Sequence, residues 1–315
     1  MSSVSPPRLQ KPRAIAPGAT IGIAAPGGPV HPALLAGGRA VWEAAGFRVV
    51  HREDIVARRA YLAGDDDRRA TELAELIADP AVDAIQCARG GYGVMRILDR
   101  LDPAAFRAAR KPLVGYSDGT ALLLWQRRCA GLVGFHGPML ERGEDIDPAA
   151  FRALVAALTG AIDDAGRIWS GMGRVAGRGT GRLVGGNLVL VLASLGTPWE
   201  IDTRGAVLLF EEVNEPPYRI DRMLQQLRAA GKLDGVVGIA TGAFTGCIDE
   251  DYPQPTAEAV VEDVARALGV PLVTGLAFGH TKNNHAWPVG ARATIDGASG
   301  TLELLEAGVT TVVAS

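Results

Sequence analysis

Cysteine is scarce in this chain and poorly placed for chemistry: Cys87, Cys129 and Cys247 lie far apart, each among apolar neighbours. There is no CxxC pair and no Cys/His cluster at ligand spacing, which excludes a disulfide framework and a structural zinc site. We read the three thiols as small buried hydrophobes in a reducing compartment. An excess of charge is also missing, with 32 Lys and Arg against 35 Asp and Glu and a net charge of −3. That balance offers no electrostatic basis for a nucleic-acid or polyanionic-membrane partner. Long apolar runs are absent too. The longest, residues 183–196, is broken by Asn187 and Ser194, whereas a membrane span needs about 20 mainly apolar residues. Near the amino end, Arg8, Lys11 and Arg13 precede a weakly apolar stretch, but Pro17, Gly18, Gly22 and Pro26 interrupt it. A secretory signal needs an unbroken apolar core, so a cytoplasmic location is expected.

What is present is a globular composition, 48% apolar over 315 residues, for which the length prior is two domains. The first half alternates short apolar runs with amphipathic stretches. Strands are expected at 20–25, 47–50, 84–88 and 112–116, and helices at 32–45, 65–78, 94–101 and 118–129. Strands separated by helices of this length predict a parallel sheet covered on both faces. Beyond residue 140 come an acidic turn at 141–147, a helix at 148–158 and a glycine-rich polar stretch at 159–181. We expect an amino-terminal domain at 15–145, a linker at 146–181 and a second domain at 182–315. In the latter, strands are expected at 206–210, 236–244 and 289–295, helices at 219–230 and 256–268, and a closing hairpin at 301–306 and 309–313.

Four segments carry chemistry-bearing residues. In Leu113-Val114-Gly115-Tyr116-Ser117-Asp118-Gly119 a buried strand runs into one serine and straight on into a helix. Such a turn projects the hydroxyl from the sheet's carboxyl edge, with the Asp118 N–H facing the same space. The spacing is not that of a G-x-S-x-G elbow, and Ser117 could equally be a helix N-cap. In Ala88-Arg89-Gly90-Gly91-Tyr92-Gly93 the glycines let main chain approach a ligand and leave N–H groups aimed into a cleft. Neither a dinucleotide fingerprint nor a P-loop is present. A third strand ends on Glu211 and Glu212 and turns at Pro216-Pro217 into a helix bearing Arg219. Last, His280 stands in the glycine-flanked loop Phe278-Gly279-His280-Thr281-Lys282, with His285 as a competitor. A serine needs a base to become a nucleophile, and the base needs a carboxylate to fix its tautomer. These segments supply all three.

Together, GYSD, RGGYG, FEEVNEPPYRIDRML and GHTKNNHAWPVG, in this order and spacing from about residue 20 to 295, resemble the LD-carboxypeptidases. That family comprises murein tetrapeptide carboxypeptidases and the related microcin-immunity peptidases. The resemblance implies an α/β fold with a Rossmann-like parallel-sheet amino-terminal domain and a smaller swivelling β/α carboxy-terminal domain, often as a homodimer. It implies a Ser117, Glu211, His280 triad, an oxyanion hole from the Gly91 and Asp118 N–H groups, and no metal or cofactor. Glu211 is preferred to Glu212 as the strand-end glutamate of the motif, and His280 to His285 because it follows the motif glycine. The implied substrate is a peptidoglycan-derived tetrapeptide ending in D-alanine. Arg89, Gly90, Tyr92, Asn187 and Arg219 are candidate substrate contacts. Two other readings fit less well: an immunity-type peptidase acting on an aminoacyl-nucleotide toxin, for which a stacking aromatic such as Trp169 would speak, and a non-catalytic two-domain binding protein.

Overall fold

The computed structural model describes residues 7–140, 147–161 and 168–310. Five of the six strands of the first sheet are parallel: β1 (Thr20–Ala24), β2 (Arg48–Val50), β3 (Ala84–Cys87), β4 (Leu113–Gly115) and β5 (Gly134–His136). β1, β3 and β4 are buried along their whole length, as strands covered on both faces must be, which is why they read as unbroken apolar runs. The crossover helices are α1 (Pro32–Ala44), α2 (Asp66–Ala78), α3 (Pro103–Ala109) and α4 (Gly119–Trp125). Local chemistry starts them: Asp65 accepts from Arg68 N at 2.8 Å, and Asp102 accepts from Ala104 N just before Pro103, each occupying an orphan amide of a first turn. The helix expected at 94–101 is instead two short 3₁₀ turns, Val94–Arg96 and Leu98–Arg100.

Buried Arg69 of α2 ties two edge loops together. Its guanidinium donates to Pro26 O after β1 and to Gly93 O after β3, and pairs with Asp66. Asp118, after β4, accepts from Val94 N of the second loop, so the loops that follow β1, β3 and β4 are gathered at one carboxyl edge, where a parallel sheet binds its ligands.

Where it is described, the expected linker is built of helix and strand. α5 (Pro148–Thr159) docks on the first core, with Phe151 edge-on to Trp42 at 4.9 Å. β6 (Ile168–Ser170), β7 (Met172–Val175) and the start of β8 (Arg178–Asn187) belong to the second sheet. That sheet runs β6-β14-β13-β8-β9-β10-β11-β7, with β9 (Ala206–Val213), β10 (Gly238–Thr245), β11 (Leu272–Thr274), β13 (Arg292–Asp296) and β14 (Thr301–Leu304). β8 to β11 are parallel and the others antiparallel. The two outer strands, β6 and β7, are separated in sequence only by Gly171, so the sheet curls back on itself. The glycines that suggested a linker are close-approach sites instead: a Cβ at Gly179 would lie 1.9 Å from Val237 O, and one at Gly173 would lie 2.1 Å from Gly297 O. Helices α6 (Leu188–Ala193), α7 (Pro217–Ala229) and α8 (Ala257–Leu268) cover one face.

The strand expected at 289–295 is two. β12 (Trp287–Val289) returns to the first sheet, antiparallel to β5, and β13 stays in the second. The closing hairpin is β13–β14, with a single bridge from Thr310 to Arg13 beyond it. The acidic turn at 141–146 and residues 311–313 lie outside the described residues.

The sheets meet where α4 packs on β8 and α6. Asn187 N donates to Thr120 Oγ1 at 3.0 Å, and Gly186, at φ +139°, leaves no room for a Cβ, which would lie 2.5 Å from Thr120. Gly186→Ala adds both a clash and backbone strain, a cost of about 1–3 kcal/mol or more. A lower urea midpoint is expected; a midpoint equal to that of the parent would remove this contact from the account.

Candidate active site

The four segments converge at the carboxyl edges of the two sheets. Ser117 follows β4 and adopts φ +56°, a left-handed backbone that is uncommon for any residue but glycine and tends to mark functional turns. Hydrogen bonds from Gly119 N to Tyr116 O and from Thr120 N to Ser117 O, both 2.9 Å, close the turn into α4. The N-cap position is taken by Asp118, so Ser117 does not cap the helix. Gly90 touches the serine: a Cβ there would lie 2.8 Å from Ser117 Cβ and 2.9 Å from Oγ. Only glycine lets the β3 loop come this close. The Gly91 and Asp118 amides flank this point, and neither is used by the turn hydrogen bonds that hold these loops.

Asp118 has a structural task as well. Its buried carboxylate accepts from Val94 N at 2.9 Å and lies beside Gly27. Burial pushes its pKa up to about 6, offset in part by the Val94 bond and the charge of Arg69.

Across the seam, β9 delivers two glutamates to opposite faces, as strand alternation requires. Glu212 is buried and fully engaged. It accepts from Asn187 Nδ2 at 2.8 Å, Val213 N at 2.9 Å and Val189 N at 2.8 Å, which anchors the start of α6, and burial raises its pKa. Glu211, fully buried, faces the cleft. Its Oε2 accepts from His280 Nδ1 at 2.6 Å and from His280 N at 3.2 Å, while Oε1 has no protein partner. A carboxylate can only accept, so Nδ1 carries the proton and the neutral ring keeps its lone pair on Nε2. Gly279, at φ +103°, is required here, because a Cβ would lie 2.7 Å from the Glu211 side chain; Asn284 Oδ1 holds its N–H at 3.0 Å. His285 makes no such pair, and burial lowers its pKa. The ring of Tyr116 stands edge-on to His280, centroids 4.9 Å apart, which places the imidazole beside the residue preceding Ser117. No hydrogen bond joins Ser117 Oγ to His280.

Below the pair lies fully buried His136, stacked on Trp287 at 5.1 Å and edge-on to Tyr116 and Phe278. Burial lowers its pKa to about 4, so it is neutral at physiological pH. Sequence reasoning passed over His136, Tyr116 and Asn284. The last lies inside the GHTKNNH run, but its task depends on a contact that the run alone does not reveal.

The remaining candidates are dispersed. Arg89 donates to Pro29 O at 2.9 Å with its guanidinium beside the Gly28 and Gly91 backbone. Exposed Tyr92 pairs edge-on with Tyr61 at 5.6 Å. Asn187 is buried, caps α6 and binds Glu212, so its amide has a structural task. Exposed Arg219 reaches Glu215 at 3.3 Å on α7. Trp169 packs on the core of the second sheet. The three thiols are free, with burial raising the pKa of Cys87 to about 12 and of Cys247 to about 11.

The sign of the Asp118 shift sets a pH dependence. The native carboxyl titrates near 6 against an unfolded value of 3.8, so the native state holds this proton more tightly. Its contribution to stability is complete below the unfolded value and is lost as pH rises through about 6. Asp118→Asn keeps the backbone N–H and an acceptor for Val94. Urea titrations should give the variant a flatter stability profile between pH 4 and 6 and a gain at pH 7 of at most about 3 kcal/mol. An unchanged slope would contradict the assignment.

Residues 21–137 match the LD-carboxypeptidase N-terminal domain and residues 180–295 the LD-carboxypeptidase C-terminal domain. The chain is 37% identical over 306 residues to a probable murein peptide carboxypeptidase of Bacillus subtilis, covering 95% of each chain. It superposes on the crystal structure of muramoyltetrapeptide carboxypeptidase from Oxalobacter formigenes with a TM-score of 0.81 and 31% identity, covering 91% of this chain and 98% of that one. Microcin C7 self immunity protein MccF shares the fold, with a TM-score of 0.85 at 23% identity over 95% of this chain and 99% of that one. With both domain matches spanning most of its length, the chain belongs to the LD-carboxypeptidase family.

Proposed function

We propose that the protein is a serine-type L,D-carboxypeptidase that releases the terminal D-alanine from a murein tetrapeptide during cytoplasmic cell-wall recycling. The observation that carries this reading is the 2.6 Å Glu211–His280 pair standing beside a positive-φ serine at a glycine-lined edge. The names of the relatives point to the same substrate. His280 Nε2 takes the Ser117 proton as Oγ attacks the carbonyl preceding D-alanine. The Gly91 and Asp118 N–H groups receive the oxyanion, and Glu211 stabilises the imidazolium. Collapse of the tetrahedral intermediate passes the proton to the departing D-alanine amine and leaves an ester on Ser117. Water, activated by the same imidazole, hydrolyses that ester and regenerates the serine. Hydrogen bonds of this kind are commonly long until substrate arrives. Arg89, beside the Gly91 loop, is placed to receive the substrate's terminal carboxylate as a charge-assisted pair.

The immunity-type alternative shares the triad, but its support is likeness of fold, and Trp169 is committed to the sheet. Mass spectrometry of a UDP-linked tetrapeptide incubated with the protein should show the loss of a single alanine. Ser117→Ala and His280→Ala should each lower kcat by about 10⁴-fold or more. Undiminished release by Ser117→Ala would reject the mechanism. Glu211→Gln retains shape but removes the charge that favours the imidazolium. It should lower kcat steeply while leaving KM within a few-fold, whereas Glu212→Gln should act chiefly on stability.

A further inference from the structure

A cavity of about 340 Å³ lies on the same carboxyl edge as His280, outside the reacting centre. It is lined by Pro217, Tyr218 and Asp221 from the start of α7 and by Asp249, Tyr252 and Gln254 from the loop that follows β10. Two large aromatic side chains stand in the open here, Tyr218 at 51% and Tyr252 at 73% exposure. Each has local support. The guanidinium carbons of Arg219 and Arg222 lie 5.9 and 5.5 Å from the Tyr218 ring centre, a cation–π arrangement that holds the ring. Asp249 Oδ1 accepts from Asp251 N and Tyr252 N, both at 3.1 Å, which sets the turn presenting Tyr252.

We infer that this cavity is a saccharide subsite, occupied by the amino-sugar ring attached to the amino end of the peptide. A pyranose offers an apolar C–H face, which packs on aromatic rings, and a rim of O–H and N–H donors, which carboxylates and an amide oxygen accept. Tyr218 and Tyr252 supply the first kind of partner, and Asp221, Asp249 and Gln254 the second. The acidic lining favours a neutral donor-rich ring over a phosphate. Position agrees as well. Thr245 Oγ1 donates to His280 O at 2.8 Å and Thr245 O accepts from Asn214 N at 2.9 Å. Asp249 is four residues beyond Thr245 and Pro217 three beyond Asn214, so Asp249 lies at most roughly 14 Å from Thr245 and Pro217 at most roughly 11 Å from Asn214. Three extended peptide residues cover roughly 10 Å, the span from the bond being cut to the sugar-bearing end of the peptide. The inference rests on the carboxypeptidase reading for the identity of the substrate.

The test compares kcat/KM for D-alanine release from N-acetylmuramyl-tetrapeptide and from the same tetrapeptide with a free amino end. The parent protein should prefer the sugar-linked substrate by about tenfold, the order expected of two aromatic contacts. Tyr218→Ala combined with Tyr252→Ala should bring the ratio near unity through KM, while Tyr→Phe at both positions should retain the preference. A parent without preference, or a double-alanine variant that keeps it, overturns the assignment. So does an equal loss on both substrates accompanied by a changed oligomeric state, which would mark the patch as a contact between copies. Calorimetric titration of N-acetylmuramyl-tetrapeptide into the Ser117→Ala protein reads the subsite without turnover. Tyrosine-dependent binding by a protein that cleaves neither substrate would retain the subsite and reject the carboxypeptidase reading.

Discussion

The active centre depends on a close approach between two sheets that are otherwise built separately. Ser117 belongs to the first sheet, while Glu211 and His280 belong to the second. The join is made where buried Thr120, the second residue of the helix that starts after the serine, accepts from Asn187 N against a glycine at 186. Asn187 is the register partner of Glu211 in the neighbouring strand. Two residues separate the serine from Thr120, and one strand pairing separates Asn187 from the glutamate. A displacement at this contact is therefore transmitted directly to the spacing of Ser117 and the Glu211–His280 pair.

Three buried carboxylates lie within this small region, and what each one bonds to separates their roles. Asp118 spends an oxygen on a backbone amide and Glu212 its oxygens on two backbone amides and the Asn187 side-chain amide, so they brace the glycine loop and α6. Amides accept no proton and shuttle none. Glu211 alone spends an oxygen on an imidazole, the one partner whose charge can change during a reaction. Removing a partner from such a buried pair typically costs 3–5 kcal/mol, so the arrangement is also a commitment of stability to a site. Neutral His136 beneath it fits the same logic: a second imidazolium there would compete with the positive charge that has to form on His280.

Most of the local structure was legible because it is locally determined. Asp65 and Asp102 start their helices, Gly269 ends α8 in a left-handed turn, and the buried strands announce themselves as apolar runs. The four motif segments and the residues facing the cleft were visible for the same reason. The misreadings share a different cause. Glycines at 171, 173, 179 and 181 looked like a flexible connection, yet each admits another backbone that lies far away in sequence. The departure of Trp287–Val289 from its apparent strand to join β5 is likewise a long-range pairing with no local signature. The choice between Glu211 and Glu212 rested on motif position, and their opposite faces became clear only once each was seen against its partners.

The gap left between serine and histidine is consistent with how the rest of the site is built. Everything held tightly here is held by covalent neighbours or by buried amides: the Ser117 turn, the Gly90 approach and the orientation of the imidazole. Between Ser117 and His280, across the cleft, there is no such support. A contact between them is completed by what enters the cleft, because a ligand gripping both sheets contributes binding energy that side chains facing water cannot. Splitting a site across two sheets thereby makes the approach of Ser117 to His280 sensitive to whatever bridges the cleft. This suits an enzyme that must cut one terminal bond and spare other peptide bonds around it.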